Sequence, residues 1–174
     1  MKLLIVYGTT EGHTRKISEF LKEEAEKSGH KVEMFDATLS PPSPRGYHTA
    51  IIAGSIHAGN YQTSIQHYAR EYHEILNNMK SAFLSVSLVA ASQDEESWKE
   101  LKEHTNTFLS LTGWTPDHIE QVAGALLYTK YDFFKRFIMR LISKRSGGDI
   151  DTTRDYEYTD WDQVKGILKK LEEM

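Results

Sequence analysis

Apolar segments of strand length alternate with amphipathic segments of helix length along most of this 174-residue chain. The first pair is "KLLIVY" (2–7), an almost continuously apolar run, followed by residues 14–27, where apolar side chains recur at helical spacing between charges. Continuously apolar strands are typical of parallel sheets, because helices cover both faces of such a sheet. The alternation therefore predicts an α/β fold.

The rest of the chain continues this order. The predicted strands are 2–7, 31–37, 48–55, 81–92 and 119–128, and the predicted helices are 14–27, 65–76, 94–113 and 159–173. Helical crossovers return over a sheet face with the same hand, so the order predicts a doubly wound, five-stranded parallel sheet in one domain of residues 1–174. Ligands of such sheets bind beyond the carboxyl ends of the strands. The last helix is predicted to have Thr159 or Asp160 as its N-cap.

Charge and residue content exclude several classes of function. The net charge is -4, which is not the basic footprint of a nucleic-acid-binding protein. The chain has no cysteine, so disulfides, thiol nucleophiles and thiolate metal sites are excluded. Its histidines show no zinc-binding spacing such as H-E-x-x-H, and we expect no metal. Neither a signal peptide nor an apolar run of membrane-spanning length is expected.

The loop after the first strand, "YGTTEGHTR" (7–15), has the residue types of an anion site. A helix N-terminus offers free N–H groups and a partial positive charge, and Thr9, Thr10 and Thr14 add hydroxyl donors without any lysine. The loop has neither a Walker motif nor a dinucleotide-binding motif, so a single terminal phosphate is the favoured ligand. The alternative is a turn that binds nothing and whose threonines only cap the helix.

This loop resembles the FMN phosphate loop of flavodoxins, T/S-x-T-G-x-T, with Glu11 and His13 where threonine and asparagine are common. Two further loops lie where flavodoxins hold the flavin ring, "GSIHAGNYQ" (54–62) and "LVAASQDEES" (88–97). The resemblance implies the flavodoxin-like sheet order 2-1-3-4-5 and noncovalent FMN. The residues that it implies for FMN binding are Thr9, Thr10, Glu11, Gly12, His13, Thr14, Ser55, Ile56, His57, Gly59, Tyr61, Leu88, Val89, Ala90 and Ala91.

Two of these side chains are expected beside the flavin ring. Tyr61 is expected to stack on the ring, and His57 to lie next to it. For His57, a surface position without a role in proton transfer is the favoured interpretation. Because FMN carries the hydride transfer itself, the protein needs no catalytic cysteine or metal, which agrees with the composition.

Three longer segments extend the resemblance to the flavodoxin-type, quinone-dependent protoporphyrinogen IX dehydrogenase family of heme synthesis. They are "SAFLSVSLVA" (81–90), "AGALLYTKYDFFKRFIMRLISKRSGGDIDT" (123–152) and "YTDW" (158–161). The resemblance implies oxidation of protoporphyrinogen IX to protoporphyrin IX, with electrons passed to a membrane quinone, for which menaquinone is expected. It also implies a helical insertion beside strand 5 and a cytoplasmic protein that is peripheral on the inner face of the cell membrane. An oligomer is compatible with this.

The insertion, at about 128–156, is basic and amphipathic. Residues 128–148 carry six lysines and arginines against one aspartate, and their aromatic and aliphatic residues recur at helical spacing. Such a helix can pack on the domain, lie on an anionic membrane surface, or hold a flat tetrapyrrole whose propionates pair with cations. The residues assigned to substrate or membrane are Lys135, Arg136, Phe137, Arg140 and Lys144.

Two other functions stay open on the same fold. A flavodoxin-like electron carrier would bind a redox protein, but it would not require a basic, aromatic insertion. A nicotinamide-dependent quinone reductase is the weaker alternative, because the sequence has no nicotinamide-binding fingerprint.

Overall fold

The computed structural model describes residues 1–126 and 156–173. Five parallel strands form one sheet in the order β2-β1-β3-β4-β5, which confirms the predicted fold class and sheet order. The strands are β1 (Lys2–Tyr7), β2 (Lys31–Asp36), β3 (Thr49–Ser55), β4 (Lys80–Ser87) and β5 (His118–Ala123). All five carboxyl ends therefore lie at one edge of the sheet.

Four described helices cover the two faces of this sheet. They are α1 (His13–Lys27), α2 (Thr63–Leu76), α3 (Glu95–Thr112) and α4 (Trp161–Glu173). Apolar residues of α1 and α4 pack on one face, and apolar residues of α2 and α3 pack on the other. Among the described residues, no helix is both long enough and apolar enough to cross a membrane.

Strand β1 shows why the sequence folds in this way. Leu3 and Ile5 point into the core under α1 and α4, whereas Leu4 and Val6 point into the core under α2 and α3. All four side chains are fully buried. A strand at the centre of a doubly covered sheet has no solvent face, so after Lys2 the sequence of β1 is apolar from Leu3 to Val6 and ends in the buried Tyr7.

Two predicted strands end earlier than the sequence suggested. Strand β4 was predicted to run to residue 92, but it ends at Ser87, whose Oγ accepts a hydrogen bond from Ala90 N–H at 3.2 Å in a short 3₁₀ turn (Val89–Ala91). Strand β5 was predicted to run to residue 128, but it ends at Ala123. Both predictions were wrong because an apolar run does not show where the backbone leaves the sheet.

After β5 the chain forms a second, small sheet. Strand β6 (Ala125–Leu126) pairs antiparallel with β7 (Tyr156–Glu157), with Leu126 opposite Tyr156. The two ends of the predicted insertion are therefore neighbours in space. Its helical character and its residues Lys135, Arg136, Phe137, Arg140 and Lys144 lie outside the described residues.

The start of α4 resolves the two predicted N-caps in favour of Asp160. Its Oδ1 accepts hydrogen bonds from the N–H groups of Asp162 and Gln163, both at 3.0 Å. Thr159 instead donates its hydroxyl hydrogen to the carbonyl oxygen of Ala123 at 2.7 Å. This bond ties the chain that returns from the insertion to the carboxyl end of β5.

Candidate functional site

A cavity of about 620 Å³ opens at the carboxyl edge of the sheet, where the loops after β1, β3, β4 and β5 meet. Its volume lies within the range of about 300–1,000 Å³ that is usual for small-molecule and cofactor sites. Most of the predicted FMN-binding residues line it. These are Thr9, Thr10, Glu11, His13, Thr14, Ser55, Ile56, His57, Gly59, Leu88 and Val89. The remaining four, Gly12, Tyr61, Ala90 and Ala91, are not among the lining residues.

The loop between β1 and α1 turns at Gly12. Gly12 has φ +87°, a left-handed conformation that favours glycine, and its N–H donates to Thr9 Oγ1 at 2.8 Å. No side chain caps α1 at this residue. The first N–H groups of a helix have no partners inside the helix, so this end of the cavity has the properties of an anion site.

Thr14, in the first turn of α1, has a buried hydroxyl that is suited to bind an anion. The residue is 1% exposed and lines the cavity, and its Oγ1 has no hydrogen-bond partner among the described residues. A buried hydroxyl without a partner costs about 1–3 kcal/mol, so native proteins rarely keep one without a reason. A phosphate oxygen bound in this loop would supply the partner.

The loop after β3 makes a tight turn against α3. His57 and Asn60 exchange backbone hydrogen bonds of 2.9 and 3.1 Å across the turn, while Ala58 and Gly59 have positive φ angles of 48° and 80°. A Cβ atom added to Gly59 would lie 3.1 Å from Cε1 of His104. Glycine at position 59 therefore allows the loop to approach α3 closely.

Tyr61 follows this loop but turns away from the cavity. Its hydroxyl bonds to Ser85 Oγ at 2.7 Å and to Thr105 Oγ1 at 3.0 Å, and its ring packs on Phe83 and Phe108. Burial raises the pKa of the Tyr61 phenol. The predicted stacking of Tyr61 on a flavin ring does not match this placement, because the aromatic core under α2 and α3 already holds the ring.

Helix α3 supplies a cavity wall that the sequence analysis missed. Ser97, Glu100, Leu101 and His104 line the cavity, and their spacing of three and four residues places them on one helical face. That spacing was the available signal, but only Leu101 among them is apolar, so the pattern was not distinguished from an ordinary solvent face. Among the described residues, no group of three or more histidine, aspartate or glutamate side chains is placed to hold a metal ion.

His13 links the cavity to the chain around β7. Its Nε2 lies 2.7 Å from Thr159 Oγ1, and because that hydroxyl donates to a carbonyl, Nε2 must carry the hydrogen. Burial lowers the pKa of His13. The negative charge of Glu157 raises this pKa, and the positive charge of Lys16 lowers it further. Lys16 of α1 also forms an ion pair with Glu157 of β7. The anion loop and the small sheet are therefore held together by side chains.

Comparisons with known proteins agree with this architecture. The flavodoxin domain family matches residues 4–153. Flavodoxin 2 from Bacillus cereus superposes with a TM-score of 0.56 at 12% identity, covering 99% of both chains, and flavodoxin 1 from the same organism with a TM-score of 0.52 at 13% identity, covering 84% of this chain and 100% of that one. These identities are low, so the two structures support the fold alone.

Relatives with higher identity carry an enzyme name. The protoporphyrinogen IX dehydrogenase (quinone) of Escherichia coli strain K12 is 34% identical over 172 residues, which cover 98% of this chain and 94% of the relative. The protein of the same name from Leishmania major is 31% identical over 166 residues, which cover 94% of this chain and 71% of the relative. The chain thus belongs to the flavodoxin-like protoporphyrinogen IX dehydrogenase (quinone) family and is an oxidoreductase.

Proposed function

We propose that this protein catalyses the FMN-dependent oxidation of protoporphyrinogen IX to protoporphyrin IX in heme biosynthesis and passes the electrons to a membrane quinone, menaquinone being the expected one. The observation that carries the proposal is the cavity at the carboxyl edge of the sheet, where the buried hydroxyl of Thr14 has no hydrogen-bond partner in the part of the chain that the structure describes. The substrate and the acceptor come from the names of the relatives from Escherichia coli and Leishmania major.

The lining residues fit FMN. Thr9, Thr10 and Thr14, with the N-terminus of α1, would hold the phosphate, because they offer donors and the helix dipole without a cation. The ring would lie between the turn at His57–Gly59 and the turn at Leu88–Val89. When bound, FMN supplies the hydride-accepting chemistry, and the protein orients the ring and excludes water.

The remaining cavity wall is suited to the substrate. Formation of protoporphyrin IX removes six electrons and six protons, which correspond to three hydrides and three further protons. Each two-electron step therefore needs a side chain or a solvent path that takes one proton. The α3 wall offers the titratable side chains Glu100 and His104 beside the proposed ring position. Gly124 and Ala125 also line the cavity, and Ala125 pairs with Glu157 in the small sheet of β6 and β7.

The insertion is the proposed contact with substrate and membrane. Its cations and aromatics suit a flat, apolar tetrapyrrole with two carboxylates, and also an anionic lipid surface. The assigned residues are Lys135, Arg136, Phe137, Arg140 and Lys144. A cytoplasmic protein that is peripheral on the inner face of the cell membrane could take both the substrate and the quinone from the bilayer.

The proposal is tested by turnover that depends on both redox partners. The apoprotein should not oxidise protoporphyrinogen IX, added FMN should restore oxidation, and continued anaerobic turnover should require a quinone such as menaquinone. Omitting the quinone is the matched control. An FMN-loaded protein that does not oxidise protoporphyrinogen IX, but exchanges electrons with a redox protein, would instead support the electron carrier.

A further inference from the structure

We propose that Gln62 is a positioning residue that directs two hydroxyl groups, those of Thr10 and Ser55, to act as hydrogen-bond donors toward an anionic ligand. The inference rests on the proposed FMN site and deepens it. It names the side chain that makes this end of the cavity select a phosphate over a neutral hydroxyl.

The orientation of the Gln62 amide is fixed by the backbone. The N–H of Ser55 donates to Oε1 of Gln62 at 3.1 Å. A backbone N–H can only donate, so the amide atom that faces it must be the oxygen. The amide nitrogen then faces Ser55 Oγ at 2.6 Å and Thr10 Oγ1 at 3.0 Å, and its two hydrogens satisfy both oxygens.

This arrangement decides what the two hydroxyls can do next. An amide nitrogen cannot accept a hydrogen bond, so both hydroxyl oxygens are acceptors toward Gln62. Each hydroxyl hydrogen must therefore point elsewhere. Thr10 and Ser55 both line the cavity, whereas Gln62 is not among the lining residues. Both hydrogens are thus available to a ligand in the cavity.

The neighbouring hydroxyls follow the same pattern. Thr9 Oγ1 accepts the N–H of Gly12 at 2.8 Å, and Thr14 Oγ1 is buried without a partner among the described residues. A cluster of hydroxyl donors favours a ligand that only accepts hydrogen bonds. A phosphate dianion has this property, but the terminal hydroxyl of riboflavin, which also has a hydrogen to donate, does not.

The surrounding backbone is shaped to hold the Gln62 side chain. A Cβ atom on Gly8 would lie 3.1 Å from Oε1 and 3.3 Å from Cβ of Gln62, and a Cβ atom on Gly54 would lie 3.7 Å from Oε1. Glycines at the ends of β1 and β3 therefore leave room for the amide. Gln62, at the start of α2, is therefore held by packing as well as by its hydrogen bonds to the two hydroxyls.

The variant Gln62→Glu tests the inference with almost no change of shape. One carboxylate oxygen can still accept the Ser55 N–H. The other oxygen replaces the NH₂ group and accepts hydrogen bonds instead of donating them, so the Thr10 and Ser55 hydroxyls turn their hydrogens toward it and away from the ligand. We expect the dissociation constant for FMN to rise about tenfold or more, and that for riboflavin to change by less than about threefold. Gln66→Glu, one helical turn later, is the control for added charge.

Binding of FMN and riboflavin to the apoprotein, measured by quenching of flavin fluorescence, separates the outcomes. A wild-type protein that binds both equally overturns the proposed phosphate site, and this inference with it. If the wild type prefers FMN and Gln62→Glu keeps that preference, only the role of Gln62 is overturned. The same holds if Gln66→Glu loses as much FMN affinity as Gln62→Glu does. Should Gln62→Glu fail to fold, Gln62→Met, which has similar length and no donor, must also lower the ratio of FMN to riboflavin affinity.

Discussion

Hydrogen-bond donors dominate one end of the cavity at the scale of single residues. The hydroxyls of Thr9, Thr10 and Ser55 each accept a bond from the protein, so their own hydrogens remain for a ligand. The hydroxyl of Thr14 has no described partner at all. The buried hydroxyl of Thr14 costs the apoprotein stability, which a bound phosphate would recover.

Thr14→Val should therefore separate ligand binding from folding. The change keeps the shape of the side chain and removes only the hydroxyl, which has no hydrogen-bond partner within residues 1–126 and 156–173. We expect FMN affinity to fall by about tenfold or more, since hydrogen bonds to charged groups contribute about 1.5–3 kcal/mol. Urea denaturation of the apoprotein should show equal or slightly higher stability.

Thr105→Val is the matched control for Thr14→Val. Thr105 is equally buried, but its hydroxyl donates to the carbonyl of Leu101 and also bonds to Tyr61 and Gln121. Its loss should destabilise the apoprotein by about 1–3 kcal/mol. If Thr14→Val destabilises the apoprotein as Thr105→Val does and leaves FMN affinity unchanged, the hydroxyl of Thr14 serves the fold and not a ligand.

His13 predicts a pH dependence of the apoprotein. Burial holds its pKa below the ordinary value of 6.5, so the unfolded chain binds more protons once the pH falls below that value. The stability contributed by neutral His13 is complete above about pH 6.5 and is lost as the pH falls toward the lowered pKa. His13→Gln, which keeps a donor toward Thr159, should lose less stability between about pH 7.5 and pH 5.5 than the wild type.

Urea denaturation of the two proteins at both pH values measures this difference. His67→Gln, on an exposed position of α2, is the control, and it should follow the wild type. Equal losses in the wild type and His13→Gln would contradict a half-buried His13 whose pKa is lowered by burial.

At the scale of elements, the close approach of β1 to α2 explains the glycine that precedes the anion loop. A Cβ atom on Gly8 would lie 2.5 Å from Cγ1 of Ile65, a distance that the packed core cannot accept without movement. Gly8→Ala should therefore destabilise the protein by about 1–3 kcal/mol through overpacking. The same substitution at Gly166, inside α4 with no atom within 4 Å, should stabilise it by up to about 1 kcal/mol.

Chemical denaturation of both glycine variants checks the opposite signs. Gly166→Ala controls for the general effect of replacing glycine by alanine on the unfolded chain. Destabilisation of similar size in both variants would contradict the assigned contact between Gly8 and α2.

The elements of the fold were predictable where one physical signal dominated. Strands β1, β2 and β3 match their predicted positions closely, because their apolar runs are bounded by glycine, proline and charged residues. The ends of β4 and β5 were not predictable, since the turns at Leu88 and Gly124 lie inside continuous apolar sequence. These turns depend on hydrogen bonds to Ser87, which local sequence does not show.

The site was predictable only in part, for a related reason. The first loop was predicted because glycines and hydroxyl residues follow the first predicted strand, and the other two because they lie where flavodoxins hold the flavin ring. The α3 wall and Gln62 were not among the predicted residues, and Tyr61, which was predicted to stack on the flavin ring, packs its ring in the core instead of lining the cavity. Polar residues on a helix usually face solvent, and whether an aromatic ring enters the core depends on partners distant in sequence, here Phe83 and Phe108.

At the scale of the whole molecule, the cavity lies at the same edge of the sheet as strands β6 and β7, which flank the predicted insertion. Strands β6 and β7 hold Leu126 opposite Tyr156, so residues 127–155 can be replaced by a short Asn-Gly hairpin loop without separating the flanking chain. If the insertion serves substrate or membrane, this variant should bind FMN as the wild type does. Its oxidation of protoporphyrinogen IX should fall by about a hundredfold or more.

FMN titration and steady-state turnover of the hairpin variant test this division of labour. Arg136→Glu with Arg140→Glu in the full-length chain is the companion variant, and it should reduce turnover while FMN affinity is retained. A hairpin variant that cannot bind FMN would show that the insertion builds the cofactor site. Undiminished turnover would exclude a role of the insertion in catalysis.

The most direct test of the proposed function is anaerobic mixing of the FMN-loaded protein with protoporphyrinogen IX, without quinone. Flavin absorbance should bleach as porphyrin fluorescence appears. Because the oxidation releases six electrons and FMN accepts two, three molecules of flavoprotein should be reduced for each porphyrin formed. Reduction by dithionite is the control that the bound flavin can accept electrons. If dithionite bleaches the flavin but protoporphyrinogen IX does not, the proposed reaction is contradicted.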